Sequence, residues 1–216
     1  MNWTNLTVEQ YQKLYKIITT EGKSNLDVLV EMISTCEGIP EDEIDSWPFE
    51  KLTKKESEYS FLENLDFDKT AKSYIECNGK RYYFVHQIEK IPAARYIEVK
   101  HFSKGDFVSS LHTLMASCVL PMKKGLFGWK LDKYDARKHS EYANDLKKAN
   151  FVEVYNCVVF FYLVLSGWIA ASQDYLTEQF ETVMSREQAK QVVELLRTIT
   201  DGYTQPNKSQ NLSASV

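Results

Sequence analysis

VYNCVVFFYLVLSGWIAA, residues 154–171, decides the fold and carries no charged side chain. Coiled as an α-helix at about 1.5 Å per residue, it is roughly 27 Å long. That is near the length of about 20 apolar residues that spans a bilayer. Two readings compete. One is a single membrane span. The other is the central helix of a soluble domain, apolar all round because other elements cover every face. The second is preferred. Asn156, Ser166 and Gly167 are costly or weakening in lipid without partners. Residues 135–151 read as an amphipathic helix. The stretch then runs into Gln173, Asp174, Glu178 and Gln179 without a break signal, as a helix does when it leaves a core. Lys147 and Lys148 on one side and Asp174 on the other leave the flanking charge neutral between the two readings.

The rest of the chain must supply that cover. Its 216 residues suit one domain or two small ones, and a 44% hydrophobic content suffices for a real core. Eight Gly and five Pro favour regular structure over loops. A net charge of −4 argues against bulk nucleic-acid binding, since proteins that hold polyanions are usually basic. Cys36, Cys77, Cys118 and Cys157 share no sequence context, and Cys118 and Cys157 lie in apolar helical runs as small buried hydrophobes. No CxxC, HxxxH or Cys/His cluster marks a zinc site. The start, MNWTNLTVEQ, has neither the basic region nor the apolar run of a signal peptide, which points to a reducing cytoplasm.

On the amino-terminal side, residues 7–20 predict a helix opened by a Thr7/Gln10 capping box, with Val8, Tyr11, Leu14 and Ile18 on one face. A second helix is capped by Ser24 or Asn25, carries Leu26, Leu29, Val30 and Ile33, and stops at Gly38. Glu41, Asp42 and Glu43 follow Pro40. They read as a solvated helix start that complements the helix dipole, with Ile44 and Trp47 inward. A further helical run to about residue 64 places Phe49, Leu52, Tyr59 and Leu62 inward.

The character then changes. Asn78-Gly79 between β-rich arms is a hairpin signal, because a type I′ turn needs positive φ at both central residues. RYIEVKHF, residues 95–102, alternates Ile97, Val99 and His101 against its neighbours, predicting a half-buried strand in a small sheet of two or three strands. Asp106 caps a helix over residues 107–120 with Val108, Leu111, Met115 and Val119 inward and His112 beside that face. Pro121 is read as its stop. Residues 135–149 predict a helix burying Tyr142, Ala143 and Leu146. Ser185 and Gln188 open a last helix carrying Ala189, Val192, Val193, Leu196 and Ile199. The expected class is therefore α+β, predominantly helical. It is a helical bundle around one long apolar helix with a small antiparallel hairpin or sheet. The expected units are 1–65, a helical subdomain; 70–202, the α+β core with the central apolar helix; and 203–216, a polar tail that is mobile or ordered by a partner.

The loop MKKGLFGWKLDKY, residues 122–134, is the most suggestive surface. Lys123, Lys124 and Lys130 interleave with Leu126, Phe127 and Trp129, and Lys133 follows. Such a mixture can stack bases and hold phosphates, anchor in a partner protein's pocket, or fold back on its own core. The partner-contact reading is preferred for these six residues, and a nucleic-acid partner is set aside, as is a membrane. No nucleophile elbow, Walker loop, GxGxxG or HExxH occurs, and His86, His101, His112 and His139 fall in different predicted elements. The chain thus reads as a non-enzymatic interaction protein with no cofactor.

The order RYIEVKHF, then FVSSLHTLMASCVLPMK, then YDARKHSEYANDLKKANFVEVYNCVVFFYLV resembles a group of bacteriophage morphogenesis proteins, the baseplate-hub assembly proteins and tail-assembly chaperones. The run LTVEQYQKLYKI…LDVLVEMISTCEGIPEDEIDSWPFEKL is similar to the start of such proteins and of small virion proteins in phages of gut bacteria. The resemblance covers residues 7–180. It implies a role in assembly and no catalytic residue. The expected partners are other phage structural proteins and copies of the chain in a ring, within the virion. A tail-assembly chaperone that leaves the particle, or a single-span membrane-associated protein, is the alternative.

Overall fold

The computed structural model describes residues 2–64, 66–87, 93–102, 105–126 and 128–181. The predicted helix at 185–199 and the tail at 203–216 lie outside the described residues, as does Phe127. The fold is α+β and mostly helical, with a four-stranded antiparallel sheet in the order β1-β2-β3-β4.

Helix α1, Val8–Thr19, opens with the expected reciprocal cap. Thr7 Oγ1 accepts from the Gln10 N–H at 3.2 Å and Gln10 Oε1 accepts from the Thr7 N–H at 3.0 Å. Helix α2, Asn25–Glu37, uses Ser24 and Asp27 in the same way and ends at Gly38, whose φ of +69° strains most residues with a Cβ. Helix α3, Glu41–Asp45, buries Ile44, and α4, Phe49–Tyr59, buries Leu52 and Tyr59. Three residues expected inward face solvent instead: Phe49 is 79% exposed, Leu26 49% and Ile18 46%. Each sits at the edge of its helical stripe, and Ile18 borders an open groove between helices.

Strands β1, Tyr74–Cys77, and β2, Lys80–Phe84, meet at the predicted turn, with Asn78 and Gly79 at φ +51° and +72°. The third strand is not the one expected. Residues 95–102 belong to helix α5, Ala93–Phe102. Their alternation fits a strand, but Arg95, Glu98, Val99 and Phe102 also share one helical face, and Arg95 and Val99 are each 2% exposed. Helix α6, Phe107–Cys118, is capped by Asp106 as expected but ends before Pro121, which lies within β3, Val119–Gly125. Proline disfavours the helical region for the residue before it, so the chain is extended by Leu120. β3 pairs with β2, Arg81 opposite Met122 and Phe84 opposite Val119. The expected loop at 122–134 is a hairpin. β3 turns into β4, Gly128–Leu131, with Lys123 opposite Lys130 and Lys124 opposite Trp129.

The helix expected over 135–149 is split into a 3-10 turn, Ala136–Lys138, and α7, His139–Leu146, which buries Tyr142, Ala143 and Leu146. Helix α8, Phe151–Glu181, follows and is 31 residues long. Phe151, Val154, Cys157, Val158, Phe161 and Leu165 lie buried along one face, whereas Leu163 is 69% exposed. The described elements therefore do not cover α8 on every side. Among the described residues no helix is long and apolar enough to cross a membrane.

One hydrophobic core includes residues from both expected units. Its joint is aromatic. The Tyr11 ring stacks on Phe151 at 3.7 Å between centroids, and Trp3 lies 5.7 Å from Phe151 and 5.2 Å from Phe67. Backbone bonds fix the same seam. The N–H groups of Val8 and Glu9 donate to the carbonyls of Ala149 and Lys147, and that of Phe151 donates to Leu6. Asn156, nearly buried, donates to the Asp68 carbonyl at 2.5 Å.

His112 settles beside the α6 face, as expected. Its Nδ1 accepts from Gln12 Nε2 at 2.9 Å, which requires the neutral ring. Burial above all, with Lys147 and His139 adding positive charge nearby, pushes its pKa down to about 4. The unfolded chain protonates near 6.5, so the unfolded state binds the extra proton in between. Stability is then full above about 6.5 and falls as pH drops toward 4, by about 3 kcal/mol at most. Urea midpoints measured from pH 7.5 to 4 should trace that loss, and His112→Gln should flatten it. An unchanged slope in the variant removes His112 as the source.

Candidate interaction surfaces

Two buried polar networks position the sheet. Asp145 on α7 is 5% exposed and accepts three hydrogen bonds: from Tyr82 Oη at 2.5 Å, Asn78 Nδ2 at 2.8 Å and Lys80 Nζ at 2.8 Å. Burial pushes its pKa up, but the bonds from Lys80, Tyr82 and Asn78 outweigh it and hold the carboxyl below its usual range. One carboxylate thus ties the β1–β2 turn to α7.

The second network centres on Arg95 of α5. Its Nε and one terminal nitrogen donate to the carbonyls of Ser117 and Val119, both at 2.7 Å, at the junction where α6 becomes β3. The guanidinium also lies over the Tyr134 ring at 4.5 Å. Tyr134 Oη donates to Glu98 Oε2 at 2.8 Å, and Ser117 Oγ stands 3.0 Å from His139 Nε2. Serine, histidine and glutamate side by side invite a catalytic reading, but the roles do not match. His139 Nε2 also faces the Thr113 carbonyl at 3.2 Å, so that nitrogen carries the proton and cannot accept one from Ser117. Glu98 bonds Ser117 and Tyr134. A triad needs the acid on the opposite ring nitrogen. The cluster locks α5, α6 and α7 together.

The sheet has two unlike faces. The inner face buries Ile75, Cys77, Tyr82, Phe84 and Val119. Tyr82 packs against Tyr142 of α7, and Phe84 against Phe160 of α8. The pairing registers put Tyr74, Glu76, Arg81, Tyr83, Leu120, Met122, Lys124, Trp129 and Leu131 on the outer face. Tyr74 is 47% exposed and Leu131 56%, and the others, apart from exposed Glu76 and Lys124, are half-buried. The Arg81 guanidinium lies over the Tyr74 ring at 4.5 Å and the Trp129 ring at 4.9 Å, and pairs with Glu76. Its Nε is buried without a partner.

The residues expected to contact a partner are spread over this hairpin. Lys124 and Trp129 oppose one another on the outer face. Lys123 and Lys130 oppose one another on the other face, where Lys123 pairs with Asp132 at 2.7 Å and both lysines reach solvent. Leu126 at the tip is 99% exposed. Phe127 is outside the described residues. Tyr74, Arg81, Tyr83, Leu120, Met122 and Leu131 were not anticipated. For Tyr74 and Tyr83 a signal existed, since the Asn78-Gly79 turn already sets them opposite each other. For Leu120 and Met122 no local signal exists, because the pattern around them reads as a helix end and a loop.

A second surface is an apolar groove of about 460 Å³ between α1, α2 and α4, walled by Leu14, Ile18, Val28, Leu29, Met32 and Leu62 with Glu56 and Glu63 at its rim. Among the described residues no three His, Cys, Asp or Glu side chains gather as metal ligands. No family model, curated protein or solved structure matches the chain.

Proposed function

We propose that this chain is a non-enzymatic structural or assembly protein of a bacteriophage. It acts through contacts with other phage proteins in the tail or head–tail connector, and with copies of itself in a ring of the virion. α8 serves as the apolar axis of the helical bundle that carries the sheet. The observation that supports this reading is the outer sheet face. Tryptophan, tyrosine and arginine are the residue types that dominate binding energy at protein interfaces, and Trp129, Tyr74, Tyr83 and Arg81 stand together there on a rigid scaffold. The sequence resemblance to phage morphogenesis proteins supplies the class of partner.

The test is co-purification of the full chain with the other structural proteins of its phage, followed by protein identification in purified particles. Trp129→Ala should weaken the captured complex by about 2 kcal/mol, roughly thirtyfold. Capture in lysate but absence from particles makes the protein an assembly chaperone. A strictly monomeric chain that captures no phage component ends the proposal.

A further inference from the structure

The groove and the hairpin complement each other. Residues 1–64, which build the groove, hold thirteen Asp and Glu against six Lys and Arg. Residues 119–133, the hairpin, hold four Lys against one Asp. The groove is apolar inside, its rim carries Glu56 and Glu63, and no basic side chain lines it. The hairpin ends in Leu126, which is fully in solvent, with exposed Lys124 and Lys130 just behind it. The hairpin is an apolar knob inside a basic collar, and the groove an apolar hole inside an acidic collar.

We infer that the β3–β4 hairpin of one copy seats Leu126 in the α1–α2–α4 groove of the next copy. This deepens the self-association half of the function proposed above and rests on it. The two patches differ, so the contact is heterologous. Repeated, it closes a ring if the rotation between copies permits, and otherwise runs on as a filament. The charged collars act chiefly on encounter rate and register, and their effect is screened as salt rises.

The experiment uses the purified full chain and measures mass in solution. One variant spoils the knob, Leu126→Asp with Lys124→Glu. The other spoils the hole, Ile18→Asp with Glu56→Lys and Glu63→Lys. All five positions are solvent-exposed, so both variants should keep the wild-type circular dichroism. Each alone should lose self-association by roughly thirtyfold or more and run as a monomer. Mixed in equal amounts, they should form a one-to-one pair and go no further. The sound knob of one variant meets the sound hole of the other, and both remaining ends are blocked. An oligomeric wild type with variants that still assemble alone, or a mixture that stays monomeric, overturns the inference while leaving the proposed function intact. A monomeric wild type that still captures other phage proteins also overturns it. A monomeric wild type that captures nothing removes both.

Discussion

Asp145→Ala is expected to destabilise the protein by about 2–3 kcal/mol, chiefly the cost of leaving the buried Tyr82 hydroxyl without its acceptor and of breaking two further hydrogen bonds. The substitution removes the acceptor of three donors, of which Asn78 and Lys80 reach solvent and only Tyr82 is left buried and unpaired. Tyr82 Oη is buried under the sheet, Asn78 is held in a positive-φ turn, and Lys80 keeps only Glu141. For a chain of this size, each kcal/mol moves Tm by about 2–4 °C, so the melting point should fall by roughly 4–12 °C. Asp145→Asn keeps the shape and one acceptor oxygen and should lose less. Because the folded pKa of Asp145 is depressed, the contribution is present above the unfolded value near 4 and is lost as pH falls through and below it. The damage should also reach the surface. Strands β1 and β2 carry Tyr74, Arg81 and Tyr83, so a loosened turn lets the outer face lose its alignment. A urea midpoint within about 1 kcal/mol of wild type would refute the clamp.

The second large effect is expected at Arg95. Arg95→Ala leaves the carbonyls of Ser117 and Val119 without their donors and opens a void beside Tyr134, a combined loss of about 3–4 kcal/mol. Arg95→Lys tests the geometry. An ammonium is a point charge and cannot present the planar fork that reaches two carbonyls and lies flat on a ring, so lysine should recover less than half of the loss. Full recovery by lysine would mean that charge alone matters there. Burial lowers the Arg95 pKa, yet a guanidinium stays protonated at any working pH, so this loss should be flat across pH 5–8, unlike the His112 slope.

The helices and the first hairpin were legible because their signals are local. Thr7 with Gln10, Gly38, Asn78-Gly79 and Asp106 each act within four residues, and each appears where expected. Residues 95–102 were misread for a physical reason. Eight residues can satisfy a period of 2 and a period of 3.6 at once. What decides between them is where Arg95 finds carbonyls to bind, 22 to 24 residues further along. The same long-range pairing hid the hairpin at 119–131, because a proline and two glycines read locally as a break. The candidate contacts were half legible. The lysines and Trp129 were found from composition alone. The outer face they belong to needed the register of β2 with β3, and the groove needed three helices brought side by side. The Asp145 clamp joins residues 63 to 67 apart, and no short motif marks it.

The seam between α1 and the α7–α8 joint bears on how the protein is made. Two of the first N–H groups of α1 are satisfied by carbonyls of residues 147 and 149, and Phe151 seals the aromatic stack over Trp3 and Tyr11. A ribosome adding about 5–20 residues per second delivers those atoms roughly 7–30 s after the first helix has emerged. Through that interval the leading segment has its own caps and no roof. The first helix is thus made early and roofed late, and its greasy side stays open to whatever binds nascent polypeptides until the eighth helix arrives.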